Sequence, residues 1–149
     1  YWQLNGSAVI GSGSVSIATG FRPKGVNDFD GDGRADILVD DGRNLSIYFN
    51  GQAGYYVLGV GTYSDGWAVF GSADINGDAR GDILFQHPSG AFAYWALDGA
   101  TVTGSGSGML PSGYSLQLTG DYNGDRRTDL IASDGRNMLM LLWNGTWFG

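Results

Sequence analysis

The stretch that decides the fold is DFDGDGRADILV, residues 28–39, because two similar stretches follow it in the chain of 149 residues. They are DINGDARGDILF, residues 74–85, and DYNGDRRTDLIA, residues 121–132. Their first residues, Asp28, Asp74 and Asp121, are separated by 46 and 47 residues. A near-constant spacing of this size is typical of repeat proteins built from one supersecondary unit.

Two further elements repeat in phase with these stretches. YWQLNGSAVIGSGS begins at Tyr1 and YWALDGATVTGSGS at Tyr94, with shorter versions at Tyr48 and Leu141. The tetrapeptide DGRN follows the first and third stretches, at Asp41 and Asp134. We therefore interpret the chain as a single repeat domain, residues 1–149, with units of about 1–47, 48–93 and 94–140 and a partial unit at 141–149.

Each unit is predicted to contain four short strands. In the middle unit they are residues 67–73, 82–86, 91–97 and 101–109, and Asp98-Gly99 is a hairpin signal. The 27 Gly, five Trp, eight Tyr and seven Phe fit an all-β chain with tight turns. Four strands in 46 or 47 residues indicate a β-propeller-type blade, with about three blades per chain.

Three blades do not make a closed ring, since propellers have at least about four. The chain opens within a unit, at the third strand, and ends after a third strand placed at residues 141–145. We expect the ring to be completed either by self-association into a homo-oligomer or by further sequence in a longer chain. An open arc would leave sheet edges and apolar faces exposed.

The charged residues restrict the classes of partner. All 15 acidic residues are Asp, which favours carboxylates placed in turns or around a cation. A net charge of −7 argues against nucleic acid, which requires a basic surface. There is no Cys, and no apolar run approaches the ~18 residues of a membrane span, so we expect no membrane insertion.

The repeated Asp-rich loops are predicted to bind calcium, about three ions per chain. Calcium takes six to eight oxygen ligands, which side chains at loop positions 1, 3, 5 and 9 and the backbone carbonyl at position 7 can supply. Gly31, Gly77 and Gly124 at position 4 allow the bend. The predicted ligands are Asp28, Asp30, Asp32, Arg34 and Asp36; Asp74, Asn76, Asp78, Arg80 and Asp82; and Asp121, Asn123, Asp125, Arg127 and Asp129.

These loops differ from the helix-flanked EF-hand, whose position 12 is a bidentate Glu. That position holds Val39, Phe85 and Ala132 in the three loops. An alternative is that the Asp and Asn residues only form Asx-turns. Carboxylates gathered within a few ångströms would then repel one another without compensation, which favours a bound cation.

The loop followed by an apolar strand, with Phe70-Gly71 before the second loop, resembles the FG-GAP or VCBS-type repeat. The W-x-L-[N/D]-G element at residues 2–6 and 95–99 is similar to the bacterial branch of that family. The resemblance implies a propeller with one calcium loop per blade and an extracellular setting. Family members include integrin α-subunit heads, propeller lectins and modules appended to secreted hydrolases. Asn at position 3 of two loops departs from the motif by one charge each.

We expect no catalytic residues, so the chain is predicted not to be an enzyme. His87, the only histidine, lies in a turn two residues from Ser89, a spacing that does not suit a catalytic triad. Five Asp residues lie outside the loops, mostly in turns: Asp40, Asp41, Asp65, Asp98 and Asp134. We interpret the two DGRN segments as hairpin turns.

The aromatic residues suggest two roles. Trp2, Trp95 and Trp143 are predicted to recur in the third strand and to fill the space between blades, whereas Trp67 and Trp147 do not share that position. Aromatic faces beside polar groups also bind sugars, and pockets between blades would repeat.

The sequence thus favours a calcium-stabilised, lectin-like binding module that is secreted or on the cell surface, with carbohydrate as its ligand. The alternatives are adhesion to a surface protein, a structural module of a secreted hydrolase and, less favoured, an enzyme.

Overall fold

The computed structural model describes residues 2–144, apart from the side chains of residues 2–4, 10 and 11. Regular structure in this part is entirely β, which confirms the predicted all-β class. The strands are β1 (Trp2–Asn5), β2 (Ala8–Ser12), β3 (Arg22–Asn27), β4 (Asp36–Asp40), β5 (Asn44–Gly51), β6 (Gly54–Thr62), β7 (Ala68–Ala73), β8 (Asp82–Gln86), β9 (Ala91–Asp98), β10 (Thr101–Met109), β11 (Ser115–Gly120), β12 (Asp129–Ser133) and β13 (Met138–Leu141). No helix in these residues could cross a membrane.

The strands form antiparallel meanders in chain order. The first sheet is β3-β4-β5-β6, the second is β7-β8-β9-β10 and the third is β11-β12-β13, while β1 and β2 form a separate hairpin. The four strands predicted for the middle unit are confirmed to within one residue at each end. This agreement follows from the clear turn signals that separate the strands.

Neighbouring sheets meet along their first strands. Strand β3 lies against β7, and β7 lies against β11. The approach is close, since a Cβ added to Gly25 would collide with the side chain of Ser72. Each of these first strands also carries a register shift at the same place, at residues 23–25, 69–71 and 116–118, so the repeat extends to the local twist of the strands.

The hydrophobic core is divided between the two junctions of the sheets. Ile83 and Phe85 of β8 pack toward the first sheet, and Leu84 packs toward the third. The second sheet is therefore covered on both faces, which explains the uninterrupted apolar run of β8. The core of the first junction is Phe29, Leu38, Leu45, Ile47, Phe49, Tyr63, Val69, Ile83, Phe85 and Leu97. The core of the second is Ala73, Ile75, Leu84, Phe92, Leu110, Leu116, Leu130, Ala132 and Trp143.

The prediction that Trp143 shares a position with Trp95 is wrong. Trp95 pairs with Ile83, and the equivalent Leu130 pairs with Leu141, so Trp143 lies two residues further along, after β13. The hairpin turn at residues 134–137 fixes this register. Trp143 nevertheless fills a sheet junction, where it is buried and meets Tyr94 edge-on at 5.4 Å between ring centroids. The side chain of Trp2, and Trp147, lie outside the described residues.

Candidate functional site

The three Asp-rich loops share one hydrogen-bond pattern that begins at position 1. Asp28 Oδ1 accepts from the backbone N–H groups of Gly31 (2.7 Å) and Asp32 (3.2 Å), and Oδ2 accepts from Gly33 (2.7 Å). Asp74 and Asp121 accept the corresponding three bonds in their loops. Local Asp-to-backbone bonds therefore determine the shape of each loop.

The side chains at positions 3 and 5 continue the pattern. Asp30 Oδ1 accepts from Asp32 N–H at 3.1 Å, and Asp32 Oδ1 accepts from Arg34 N–H at 2.8 Å. In the other loops the position-3 amides of Asn76 and Asn123 also donate to the position-5 carboxylate, at 3.0 and 3.1 Å. In the first loop the same carboxylate oxygen, Asp32 Oδ2, instead pairs with Arg34 Nη1 at 3.1 Å.

The Asp at position 9 is buried in all three loops and links the loop to the third strand of its sheet. Asp36 Oδ2 accepts from Phe29 N–H at 3.0 Å, and its Oδ1 accepts from Asn50 N–H at 2.8 Å. Asp82 and Asp129 make the equivalent bonds, to Ile75 and Leu97 and to Tyr122 and Trp143. This bridging role could not be predicted from the sequence, because the partner N–H groups lie 14 or 15 residues further along.

Burial affects the ionisation of these bridging carboxyls. Desolvation raises the pKa of Asp82 to about 6, against the opposing effect of the backbone hydrogen bonds that it accepts. Burial also raises the pKa of Asp36, and the charges of Asp30 and Asp28 add to the effect. A cation in the loop would counteract this repulsion and favour the ionised carboxylates.

The first loop brings three of its predicted ligands together. Asp28, Asp30 and Asp36 each place a carboxylate oxygen so that the three atoms lie within 4.8 Å of one another. Two oxygens on one calcium ion at about 2.3–2.6 Å are at most ~5 Å apart, so the spacing and the hard oxygen donors fit that ion. Asp32 is not in this group. The second and third loops have the same backbone pattern, with an amide oxygen in place of one carboxylate.

Successive loops are joined to each other, and we call this connection the loop ladder. Gly81 N–H donates to the carbonyl oxygen of Asp28, and Thr128 N–H donates to that of Asp74, both at 2.8 Å. The position-7 arginines extend back over the preceding loop. If Gly31 carried a Cβ atom, that atom would lie 3.0 Å from Arg80 Nε, and a Cβ atom on Gly77 would lie 2.8 Å from Arg127 Cγ. Each arginine side chain is therefore close to the glycine of the preceding loop.

Sequence reasoning assigned only the backbone carbonyls of these arginines and missed their side chains. Arg80 also pairs with Asp98 at 2.8 Å, so one guanidinium connects the hairpin of its own unit with the loop before it.

A second repeated feature lies directly before the first strand of each four- or three-stranded sheet. A glycine with left-handed φ precedes an aromatic residue seven positions before each loop, as Gly20-Phe21, Gly66-Trp67 and Gly113-Tyr114. In each case the aromatic N–H donates to the carbonyl three residues earlier, at 3.1, 3.4 and 3.1 Å. Sequence reasoning missed these aromatic turns, although the Gly-aromatic pair at constant spacing was present in the sequence.

The aromatic turns form part of two pockets. The pocket between the first and second sheets has a volume of about 190 Å³ and is lined by Thr62, Tyr63, Ser64, Trp67, Phe85, Ala93 and Trp95. The pocket between the second and third sheets, of about 240 Å³, includes Tyr114, Ser115, His87 and Gln86 in its lining. Both combine aromatic surface with hydroxyl, amide or imidazole groups.

The remaining predicted sites form turns and ion pairs. Ser89 lies 2.8 Å from His87 Nδ1, and that nitrogen also accepts from Ser89 N–H, so the pair closes a turn. No hydrogen bond joins His87 to a carboxylate in the described residues. Asp41 and Asp134 accept from the backbone and side-chain amides of Asn44 and Asn137, which lowers the pKa of both carboxyls. These bonds support the interpretation of the DGRN segments as hairpin turns.

The other three Asp residues outside the loops have cationic or hydroxyl partners. Asp40 is buried and accepts from Tyr63 Oη at 2.6 Å, with Lys24 Nζ at 3.6 Å. Asp65 pairs with Arg43, and Asp98 pairs with Arg80. None of the three is paired with a second carboxyl in these interactions, as glycoside hydrolysis would require.

No protein-family model, curated protein or solved structure matches the chain. The case for a function therefore depends on the geometry above and on the resemblance of the loops.

Proposed function

We propose that the protein is a non-catalytic, calcium-stabilised carbohydrate-binding module of the FG-GAP or VCBS type. The observation that carries the proposal is the pocket between the first and second sheets, which is lined by Trp67 and Trp95 together with the hydroxyl side chains of Thr62 and Ser64. Sugars bind by stacking apolar ring faces on aromatic side chains while hydroxyl groups form hydrogen bonds. This pocket offers both kinds of contact in one place.

A second pocket, which shares the aromatic turn with the first, strengthens the proposal. Trp67 and Tyr114 occupy equivalent aromatic turns, and each lines a pocket at its own junction. Several weak sites on one rigid surface increase the overall affinity for a multivalent glycan by effective concentration. A surface glycan or glycoprotein is therefore the class of partner that we propose, with a secreted or cell-surface location.

A propeller-type arrangement is part of the same proposal. Its support is that the three sheets follow one another in chain order, meet along their first strands and bury one core at each junction. Calcium in each loop would be held by oxygens at positions 1, 3 and 9, for which Asp28, Asp30 and Asp36 supply the gathered carboxylates. The ion would offset their repulsion and fix the entry to the second strand of each sheet.

The side chains that could act in catalysis are engaged in hydrogen bonds within turns and loops, which supports a non-catalytic role. His87 is engaged with Ser89 in a turn, and the loop carboxylates at positions 1 and 9 already accept backbone hydrogen bonds. Turnover of a glycoside or peptide substrate by the purified chain would contradict this part of the proposal.

The proposal is tested by glycan-array binding with Trp67→Ala, which removes one stacking face from the first pocket. Val102→Ala is the control, since Val102 is exposed on β10 outside both pockets. We expect Trp67→Ala to lower binding at least tenfold and Val102→Ala to leave it unchanged. Equal binding by both variants would contradict a sugar site at this pocket, and binding that survives enzymatic removal of the glycans would favour protein adhesion.

A further inference from the structure

The outer face of the third sheet, the one turned away from the second sheet, is apolar and exposed. Leu118, Ile131 and Met140 form a cross-strand row on this face, and Leu118 and Met140 are 58% and 49% exposed. The equivalent row of the second sheet, Leu84 with its neighbours, is packed against the third sheet, and Leu84 is fully buried. The second sheet has this face covered by the sheet that follows it, whereas the third sheet has the same face exposed.

The opposite end of the chain has the complementary surface. In the first sheet Val26, Ile37, Tyr48 and Val57 form a row, in which Val26 is 63% and Val57 47% exposed, whereas Tyr48 is buried and its hydroxyl oxygen accepts from Ala18 N–H. Its equivalent in the second sheet contains Ile83, which is fully buried against the first sheet. The second sheet has this face covered by the sheet before it, whereas the first sheet has the part of the same face at Val26 and Val57 exposed.

The loop ladder has two unmatched ends at the same two faces. Arg80 and Arg127 lie over Gly31 and Gly77, whereas no atom of residues 2–144 lies within 4 Å of the same position on Gly124. Arg34, in the first of the three loops, is paired with its own Asp32.

The residue at loop position 2 shows the same asymmetry. Phe29 and Ile75 are fully buried by the sheet that follows them, whereas Tyr122 is 40% exposed. A Cβ atom added to Gly81 would lie 2.9 Å from Phe29 Cδ1. The Phe29 ring therefore contacts position 8 of the next loop, which Gly81 occupies. On the first sheet that position is Ala35, which lines an open groove of about 570 Å³ together with Val26, Ile37 and Asn50. The groove is therefore where an incoming position-2 side chain would lie.

We propose that two copies of this chain associate head to tail, with the third sheet of one copy packed on the outer face of the first sheet of the next. Tyr122 enters the groove at Ala35, and Arg34 of the second copy lies over Gly124 of the first. The apolar rows and the ends of the loop ladder both pair the third sheet of one copy with the first sheet of the next. The two sheet junctions within the chain show the geometry that we propose for this interface.

The test uses sedimentation velocity on the full chain, of 15.8 kDa, with one variant for each face. Met140→Asp places a charge on the outer face of the third sheet, and Val26→Asp places one on the first. Val102→Asp is the control, because Val102 is 40% exposed on β10, outside both rows. We expect the wild type and Val102→Asp to sediment above the single-chain mass and each face variant to sediment as a single chain. Circular dichroism of each variant verifies that it is folded.

Mixing the two face variants separates this arrangement from a symmetric one. Met140→Asp keeps an intact first sheet and Val26→Asp keeps an intact third sheet, so a head-to-tail interface predicts a two-chain species in the mixture. A wild type that remains a single chain up to its solubility limit would overturn the proposal. Face variants that assemble like the wild type would also overturn it, as would a mixture without a two-chain species. None of these outcomes depends on glycan binding.

Discussion

Replacing Ala79 with Gly is expected to stabilise the protein, although Ala→Gly substitutions ordinarily destabilise. Position 6 of all three loops has a left-handed backbone, with φ of 82° at Gly33, 66° at Ala79 and 69° at Arg126. The N–H of this residue donates to the position-1 carboxylate at 2.7 to 2.9 Å, which fixes the conformation. Only Gly adopts this conformation without steric cost.

The magnitude follows from two opposing effects. A residue with a Cβ loses about 1–2 kcal/mol in the left-handed region. Gly loses roughly 0.4–1 kcal/mol more backbone entropy on folding. The difference predicts a gain of about 0.5–1 kcal/mol in the free energy of unfolding for Ala79→Gly. For a chain of 149 residues this corresponds to a rise in Tm of about 2–3 °C. Arg126→Gly should give a similar gain.

The assay is thermal and urea unfolding, followed by circular dichroism, with calcium and with excess chelator. Ala35→Gly is the matched control, since Ala35 lies in the same type of loop without a positive φ. We expect this control to lose about 0.5–1 kcal/mol. If Ala79→Gly destabilised the protein as much as Ala35→Gly does, the strain assigned to position 6 would be refuted.

Four other outcomes are expected. Excess chelator should lower Tm markedly, because an ion bound only to the folded state stabilises it by mass action. Asp28→Ala, Asp74→Ala and Asp121→Ala should each remove about one bound ion in calcium titrations, because position 1 is one of the three positions proposed to hold the ion. Asp82→Ala should lower the free energy of unfolding in urea by about 2–4 kcal/mol, because it leaves the buried N–H groups of Ile75 and Leu97 unpaired. The control Asp65→Ala, at an exposed residue, should change it by under ~0.5 kcal/mol. Tyr63→Phe should cost about 1–3 kcal/mol through the lost bond to buried Asp40. Burial and Asp40 raise the pKa of Tyr63. Above about pH 10 the tyrosine ionises first in the unfolded state, so the free energy of unfolding of the wild type should fall as the pH rises. Tyr63→Phe should lack the part of this decrease that comes from Tyr63.

The parts of the fold that the sequence predicted are those encoded within a few residues. The position-1 Asp and the position-4 Gly determine the loop shape through bonds that span three to five residues, so the loops could be identified directly. The strand bounds of the middle unit followed in the same way from Gly- and Asp-rich turns. What could not be predicted depends on register. The Asp36 bridge to Asn50 and the displacement of Trp143 both require knowledge of which residues pair across a hairpin.

The links between units explain why burial changes from one loop to the next. The first and second loops each receive a backbone N–H, an arginine side chain and a cover for the position-2 residue from the unit that follows, as Asp28, Gly31 and Phe29 do from the second sheet. Because all three contributions come from the later unit, the stability of these loops depends on the successor as well as on their own sequence. The third loop has the same local hydrogen bonds as the others, yet Tyr122 is exposed and Gly124 is uncovered. A following unit would therefore restore a contact set that the first two loops already have, and this makes the third loop the place where association and cation binding are expected to be coupled.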